Sequence, residues 1–273
     1  MASGKRGFAA PAFLLALVLL LLVVATVILF SLPSFQPPPA ITANGAQVDH
    51  QYKLTLYIAG AAFLLAQLGL ALAAFRFRDR GQRVRFTRGS NAVEIVLTLV
   101  AIVLFLGLGF LGRKAWAEVR YAPSSVNAIQ IEVTESQFVF HFRYPGPDGK
   151  FGRLDPARIS PSTGNPLGID ENDPAGRDDI VVPVLTVPVN REIELLIRSQ
   201  DVIHNFYVRE LRLQQDAVPG IISPLHFTAN KTGQYEIVCT QLCGSGHHLM
   251  HSFLNVVSEP EYESYLKQKA AIQ

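Results

Sequence analysis

The chain has 273 residues, of which 49% are hydrophobic and only 17% are charged, whereas a typical soluble domain has about 25% charged residues. This composition excludes a wholly soluble, disordered, fibrous or collagen-like protein. The formal net charge of +2 is unevenly distributed, because nine basic and three acidic residues precede residue 113, and fifteen basic and nineteen acidic residues follow from there.

Three apolar segments, 9–32, 54–75 and 92–112, are long enough to cross a membrane, since a spanning helix needs about 20 apolar residues. The first segment follows Lys5 and Arg6, as the apolar part of a signal peptide would. Its apolar run is longer than the roughly 7–15 residues of such a peptide. We therefore expect two or three transmembrane helices, with the first retained and a cleaved leader as the alternative.

Six arginines lie at or between the facing ends of the second and third apolar segments, namely Arg76, Arg78, Arg80, Arg83, Arg85 and Arg88. A basic run can bind nucleic acid. Its position between two apolar segments instead favours a cytoplasmic membrane loop, so no nucleic-acid partner is expected. The positive-inside rule then places everything after Arg113 outside the cytoplasm.

The residues after the third apolar segment predict a β-rich head. Apolar and polar side chains alternate in 137–143 and 233–239, which is typical of strands with one buried face. Residues 145–177 are rich in Gly, Pro and Asp and predict long loops. A short helix begun by Pro260 is expected at the end of the chain. The head should be an antiparallel sandwich or barrel.

These features divide the chain into four expected parts. Residues 1–52 form the first helix, or a long signal anchor, and an external linker. Residues 53–112 form a transmembrane helical hairpin. Residues 113–258 form the extracytoplasmic head, and residues 259–273 form a helical tail.

The sulfur-containing residues are concentrated in one short segment of the head. The chain has two Cys and two Met, and apart from the initiator they are Cys239, Cys243 and Met250. Together with His247 they form the pattern C-x3-C-x3-H-x2-M, which starts at the end of a predicted strand and runs through glycines. Two thiolates, an imidazole and a thioether are soft ligands, which favour copper over Mg, Ca or Mn.

Other interpretations of this pattern remain open from the residues alone. Cys239 and Cys243 could form a disulfide in an oxidising compartment, although a disulfide leaves His247 and Met250 unexplained. A structural zinc site would need four Cys or His ligands. Covalent haem attachment needs C-x-x-C-H, which is absent from the sequence, so no haem is expected in this chain.

Four further segments accompany the cysteine motif: 91–98 at the start of the third apolar segment, the aromatic strand 137–146, the segment 201–204, and the segment 216–220. In combination they resemble subunit 2 of cytochrome c oxidase, which carries a dinuclear copper (CuA) centre. The resemblance covers nearly the whole chain after residue 50. It implies a membrane-anchored α and all-β protein whose head is a cupredoxin-like β-sandwich or barrel.

The resemblance also implies the ligands of two copper ions. Cys239 and Cys243 match the bridging thiolates, and His204 matches the upstream histidine. The remaining matches are His247, Met250 and the backbone carbonyl of Gln241.

The function implied by the resemblance is electron transfer in a respiratory complex. Electrons would come from a c-type cytochrome and pass to haem in the catalytic subunit 1, where oxygen is reduced to water with proton translocation. The chain would sit with other oxidase subunits in a bacterial-type inner membrane, with its head in the periplasm. No histidine lies in the three apolar segments, so the oxygen-reducing site must belong to a partner. The alternatives are the equivalent subunit of a nitric oxide reductase, and a copper-free quinol-oxidase-type or assembly subunit.

Two positions depart from the family pattern. Gln241 replaces a Glu whose side chain helps to bind an interfacial magnesium ion, and an amide oxygen is a poorer ligand for a hard cation, which weakens the case for that ion. Phe138 stands where the family commonly has a Trp that receives electrons.

Two acidic residues are further candidates. Glu94, near the cytoplasmic end of an apolar helix, matches a residue at the entrance of a proton path, although a carboxylate that only reaches water or pairs with Arg88 is the alternative. Asp216 matches an acid next to the copper loop, where either an electron-transfer role or structural hydrogen bonding is expected.

Overall fold

The computed structural model describes residues 10–78, 86 and 88–272, so part of the predicted arginine loop lies outside the described residues. The described residues fall into two compact units. The membrane unit is drawn from Met1–Pro38 and His50–Lys114, and the head unit from Pro39–Asp49 and Ala115–Gln273.

Three helices in the described part of the chain are long and apolar enough to cross a membrane. They are α1 (Ala10–Ser31), α2 (Ala43–Arg76) and α3 (Asn91–Arg120). This result confirms the predicted set of apolar helices. Helix α2 begins before the predicted apolar segment because Thr42 accepts a hydrogen bond from the Gly45 N–H through its Oγ1 at 2.8 Å, which satisfies one of the free N–H groups of the first turn.

The head consists of two five-stranded sheets. The first sheet has the order β3-β2-β1-β5-β8, with β1 at Ile129–Ser136, β2 at Val139–Tyr144, β3 at Ile180–Val182, β5 at Glu192–Ser199 and β8 at Ser223–Thr228. The second sheet has the order β4-β10-β9-β6-β7, with β4 at Leu185–Pro188, β6 at His204–Val208, β7 at Leu213–Ala217, β9 at Gly233–Val238 and β10 at His251–Val257.

The sandwich is not purely antiparallel, contrary to the expectation from alternation. Strand β1 pairs with β5 in parallel, and β10 pairs with β4 in parallel, while the other ladders are antiparallel. Alternation along a strand reports which face is buried but carries no information about the direction of the neighbouring strand. The mixed two-sheet sandwich fits the predicted cupredoxin-like head.

The core lies between the two sheets and is built from alternate residues of their strands. Ile131 and Val133 of β1, Leu195 of β5 and Leu254 of β10 are fully buried. Burial of such side chains supplies about 1.5–3 kcal/mol each. Helix α4 (Glu259–Ala270) closes one side of this core, and Ser258 and Glu261 form a capping box at its start.

The segment between β2 and β3, residues 145–179, is called the long loop. As predicted, it is irregular, with three short 3-10 turns at Pro156–Arg158, Pro161–Thr163 and Pro174–Gly176. Its anchor is Arg143, whose buried guanidinium bonds Glu132 at 2.8 Å and also Asp179. The long loop is therefore an ordered part of the head.

Candidate metal centre

The cysteine loop, Cys239–Met250, connects two neighbouring antiparallel strands. Strand β9 ends immediately before Cys239, and β10 begins immediately after Met250. The N–H of Cys239 donates to the carbonyl of Met250 at 3.2 Å and closes the base of the loop. Strand β6 lies beside β9 and begins with His204. The sheet therefore brings a distant histidine to the loop that carries both cysteines.

Three of the predicted ligands form a compact buried cluster. The ligand atoms of His204, Cys239 and Cys243 all lie within 4.8 Å of one another. The two Sγ atoms are 3.9 Å apart, and both cysteines are free thiols. Among the described residues, this is the one group of three or more His, Cys, Asp or Glu side chains close enough to hold a metal ion.

The other three predicted ligands surround the same thiols. His247 Nδ1 lies 3.5 Å from the Sγ of Cys243, and Met250 Sδ lies 3.9 Å from that Sγ. The carbonyl oxygen of Gln241 lies 3.2 Å from the Sγ of Cys239. The loop thus brings a thioether, an imidazole and a carbonyl to two thiols, while the side chain of Gln241 is exposed.

His204 has one ring nitrogen held and one left without a partner. Its Nε2 lies 2.7 Å from the Oδ1 of Asp201, whereas Nδ1 is buried and has no hydrogen-bond partner. A buried polar atom without a partner costs about 1–3 kcal/mol. Metal-ligating histidines usually have the other nitrogen bonded to a carboxylate or carbonyl, which fixes the ring. The residues present therefore fit a metal ion bound at Nδ1.

Asp201 and Gln137 connect the first sheet to the cluster, and neither was predicted as a site residue. The backbone N–H of Gln137 donates to Asp201 Oδ2 at 2.8 Å, and its side-chain amide donates to the carbonyl of Cys243 at 2.6 Å. Burial raises the pKa of Asp201, but hydrogen bonds from Gln137, His204 and Val202 outweigh that effect and leave the pKa below its usual value. Asp201 is therefore a carboxylate at neutral pH. The i,i+3 spacing of Asp201 and His204 is the sequence signal that points to this contact.

Comparisons with known proteins agree with this geometry. The family model described as cytochrome C oxidase subunit II, periplasmic domain, matches residues 177–259. The alternative cytochrome c oxidase subunit 2 of Bradyrhizobium diazoefficiens is 32% identical over 93% of this chain and 91% of its own length. The chain belongs to the cytochrome c oxidase subunit 2 family. The cytochrome c oxidase subunit 2 of Cereibacter sphaeroides is 29% identical over 86% of this chain and 79% of its own length.

A solved structure is also similar to part of this chain. It is the crystal structure of the periplasmic domain of subunit II of cytochrome oxidase of Bradyrhizobium japonicum. The match has 28% identity, covers 54% of this chain and 95% of that chain, and has a TM-score of 0.39. Membership of the family makes the chain a subunit of a haem–copper oxidase, with membrane helices and an extracytoplasmic head.

Burial keeps the free thiol of Cys243 protonated. The pKa of Cys243 is raised to about 11, chiefly because the thiol is removed from water. The neighbouring Cys239 thiol is the second cause. Only thiolates bind metals strongly, so a cation bound at Cys243 has to displace this proton.

Phe138, the predicted position of electron transfer into the family's copper site, lies against the backbone of the cysteine loop. A Cβ added at Gly246 would lie 2.5 Å from the Phe138 ring, and one added at Gly244 would lie 3.1 Å from it. Gly244 also has φ +143, which L side chains rarely adopt. The ring packs on the core and is partly buried. Its role in electron transfer stays a prediction.

Asp216 is connected to the cysteine loop by a chain of hydrogen bonds. It lies opposite Asn205 in the β6–β7 ladder, and its Oδ1 accepts from the Asn205 side-chain amide at 2.6 Å. The amide oxygen of Asn205 accepts from the Thr240 hydroxyl at 2.6 Å. Because Thr240 follows Cys239, these bonds hold the start of the loop against β6.

Glu94 lies in the first turn of α3 and belongs to the membrane unit, whereas the predicted copper ligands belong to the head unit. It is exposed, and one of its carboxylate oxygens lies 2.7 Å from where a Cβ would stand on Gly89. No ion pair between Glu94 and Arg88 occurs among the described residues. A proton-path role for Glu94 stays a prediction.

Proposed function

We propose that this subunit accepts electrons from a c-type cytochrome at a dinuclear copper centre and passes them to haem in the catalytic subunit, where oxygen is reduced to water. One observation carries the proposal: six predicted ligand groups, one from His204 and five from the loop that begins 35 residues later at Cys239, lie together at two buried thiols. Any single group could be an ordinary buried residue, but the whole set suits soft metal chemistry.

Cys239, Cys243 and the four groups around them would hold two copper ions, which when bound would supply a one-electron carrier. The protein holds the ligands in place on both sides. Asp201 fixes the ring of His204, and Gln137 fixes the backbone at Cys243. Ligands that are held in one geometry need little rearrangement when charge changes, so electron transfer is fast.

Copper is favoured over the other interpretations of the motif. A thioether lies 3.9 Å from the Cys243 sulfur, and zinc sites in proteins use Cys, His and carboxylate ligands instead. A disulfide would leave the unpartnered Nδ1 of His204 without a function. The match of the whole chain to oxidase subunits favours oxygen reduction over the nitric oxide reductase and copper-free alternatives.

The proposed donor and partners follow from charge and family. The part of the chain after residue 112 has four more acidic than basic residues, and such a surface speeds the encounter with a basic cytochrome. The proposed setting is a bacterial-type inner membrane with the head in the periplasm, in a proton-translocating complex with subunit 1 and other oxidase subunits. The exposed amide of Gln241 argues against a strong interfacial magnesium ion.

The test is to purify the full chain in detergent, load it with copper, and record optical and electron paramagnetic resonance spectra. Hyperfine structure from one electron shared by two copper nuclei is the expected result. A single-copper spectrum, or no copper uptake by a folded chain, would contradict the dinuclear centre. Purification of the intact complex from its native membrane, followed by assays with oxygen and with nitric oxide, identifies the acceptor.

A further inference from the structure

A groove lies between α1 and α2 in the membrane unit. The two helices touch near one end, where the rings of Phe13 and Phe75 meet edge-to-face with 5.2 Å between their centroids. Toward the other end they enclose a space of about 760 Å³. The volume is in the range of about 300–1,000 Å³ that is typical of small-molecule sites.

The groove runs along the half of α2 nearest the extracytoplasmic side. On α2 its lining extends from Lys53 to Leu64, which is about 16 Å along a helix. A bilayer core is about 30 Å thick, so the groove has the length of one leaflet. Its opposite wall includes Val27 and Phe30 near the end of α1. An acyl chain of the outer leaflet therefore matches its length and its apolar lining.

Most polar groups of the lining lie at the mouth of the groove, and Thr26 is the exception. Lys53, Tyr57, Ser31 and Gln36 lie there, next to the ends of the apolar stretches. Lys53 is exposed and has no ion pair among the residues that the structure describes. A lysine at a membrane surface attracts anionic lipid headgroups, and tyrosines are typical of the interface. The charge at the mouth therefore complements a phosphate.

Gly60 keeps the floor of the groove open. It lines the groove, and a Cβ added there would meet no atom within 4 Å. Gly69 lies on the same helix outside the lining, and a Cβ added there would also meet no atom within 4 Å. A larger side chain at Gly60 would therefore fill the groove, whereas the same substitution at Gly69 would not. Gly69 is thus the matched control.

We propose that the α1–α2 groove binds an anionic glycerophospholipid of the outer leaflet, with the headgroup phosphate at Lys53 and an acyl chain beside Gly60. This site is separate from the copper function, because every residue that defines it belongs to the membrane unit. The proposal requires α1 to be present in the mature chain.

The experiment uses the intact oxidase complex in nanodiscs of phosphatidylcholine with a minor fraction of phosphatidylglycerol. Native mass spectrometry of the released complex measures which lipid is retained, and the intact mass of this chain reports whether α1 is present. The variants are Lys53→Gln, Gly60→Leu and the control Gly69→Leu. Leucine has a higher helix propensity than glycine, so both leucine variants should fold.

The expected result is retention of phosphatidylglycerol over phosphatidylcholine by the unaltered complex and by Gly69→Leu. Lys53→Gln should reduce that preference about fivefold, the contribution of one lysine near an anionic surface. Gly60→Leu should reduce retention of both lipids. Equal retention of the two lipids, an unchanged Gly60→Leu complex, a helix of another subunit crosslinked at position 60, or a mature chain without α1 would each overturn the proposal.

Discussion

The cysteine loop and the long loop are both irregular segments of the same head, yet their polar groups are used in opposite ways. In the long loop, side chains mainly bond one another and the local backbone. Asn165 exchanges two hydrogen bonds with Ile169, at 2.9 and 2.8 Å, and Asp173 accepts from the backbone of Arg153 at 2.9 Å. In the cysteine loop the soft donor atoms converge on one another, next to an imidazole nitrogen without a partner.

This difference separates structural order from a ligand site. Both segments are ordered, so regularity of the backbone alone does not reveal function. A set of polar groups that mostly bond one another indicates a structural role, because most of the hydrogen bonds are already made within the set. A set of soft ligand atoms that converge on one another beside a buried imidazole nitrogen without a partner indicates a metal site. Variants of the two loops should therefore affect different properties.

The largest effect is expected from Cys239→Ser. Without one bridging thiolate, the dinuclear copper signal should be lost completely, because a serine hydroxyl is a hard and weakly acidic ligand. The head should remain folded, since the replacement is nearly isosteric. Copper content and electron paramagnetic resonance give the first result, and circular dichroism gives the second. A variant that retains a shared-electron spectrum would show that Cys239 is not a bridging ligand.

Next in size is the effect of Arg143→Leu at the base of the long loop. The substitution leaves Asp179 as a buried carboxylate without its cation and leaves Glu132 paired with Arg198 alone, which costs about 3–5 kcal/mol of unfolding free energy. Thermal unfolding of the full chain measures this loss, and the copper spectrum of the folded fraction should be unchanged.

The matched control for Arg143 is Arg153→Gln in the same loop. The Arg153 side chain is 76% exposed and lies 3.1 Å from Asp170, and exposed ion pairs contribute about 0–1 kcal/mol. Equal destabilisation by the two variants would mean that burial of the ion pair is not what anchors the loop.

A smaller effect is expected from Asp201→Asn at the edge of the cysteine loop. The amide oxygen can still accept from the His204 ring, but the negative charge that supports the imidazole is lost. Changes in such supporting groups typically cost about 10- to 100-fold in metal affinity. Competition for copper against a chelator measures the loss. A Met250→Leu variant is the comparison, since a weak thioether should change the reduction potential and leave the centre assembled. Unchanged affinity in Asp201→Asn would remove Asp201 from the site.

The convergence of five of the six predicted ligand residues could be anticipated from the sequence, because these five lie within twelve positions of one another. Cys239, Gln241, Cys243, His247 and Met250 share one loop, so their convergence needs only a turn between neighbouring strands. His204 was identified by resemblance, and the adjacency of β6 and β9 explains why it reaches the loop.

The supporting contacts were not predicted because they depend on pairing between distant segments. Gln137 follows β1, and Asp201 follows β5, and these two strands form a parallel ladder that places their ends side by side. Alternation in a sequence defines the faces of each strand but not its neighbour or its direction. The contacts of Gln137 with Cys243 and of Asp201 with His204 follow from that ladder.

An effect whose size depends on pH is expected from Glu135→Gln, which tests a buried group that belongs to neither loop. Glu135 is fully buried in β1, and both carboxylate oxygens lack hydrogen-bond partners. The pKa of Glu135 is raised well above its usual value, chiefly by burial. The negative charge of Asp216 is the second cause.

A raised carboxyl pKa lowers stability as pH rises, because the folded state holds the proton more tightly than the unfolded state does. The stability that this group contributes is fully present below the ordinary pKa of Glu. It is lost as the pH rises to the pKa of Glu135 in the folded state. Glutamine cannot ionise, so the variant should gain stability relative to the original chain with increasing pH, by at most about 1.4 kcal/mol per pH unit. Melting temperatures of both chains at pH 5 and pH 8 test this. An equal difference at the two pH values would show that Glu135 does not change its protonation on unfolding.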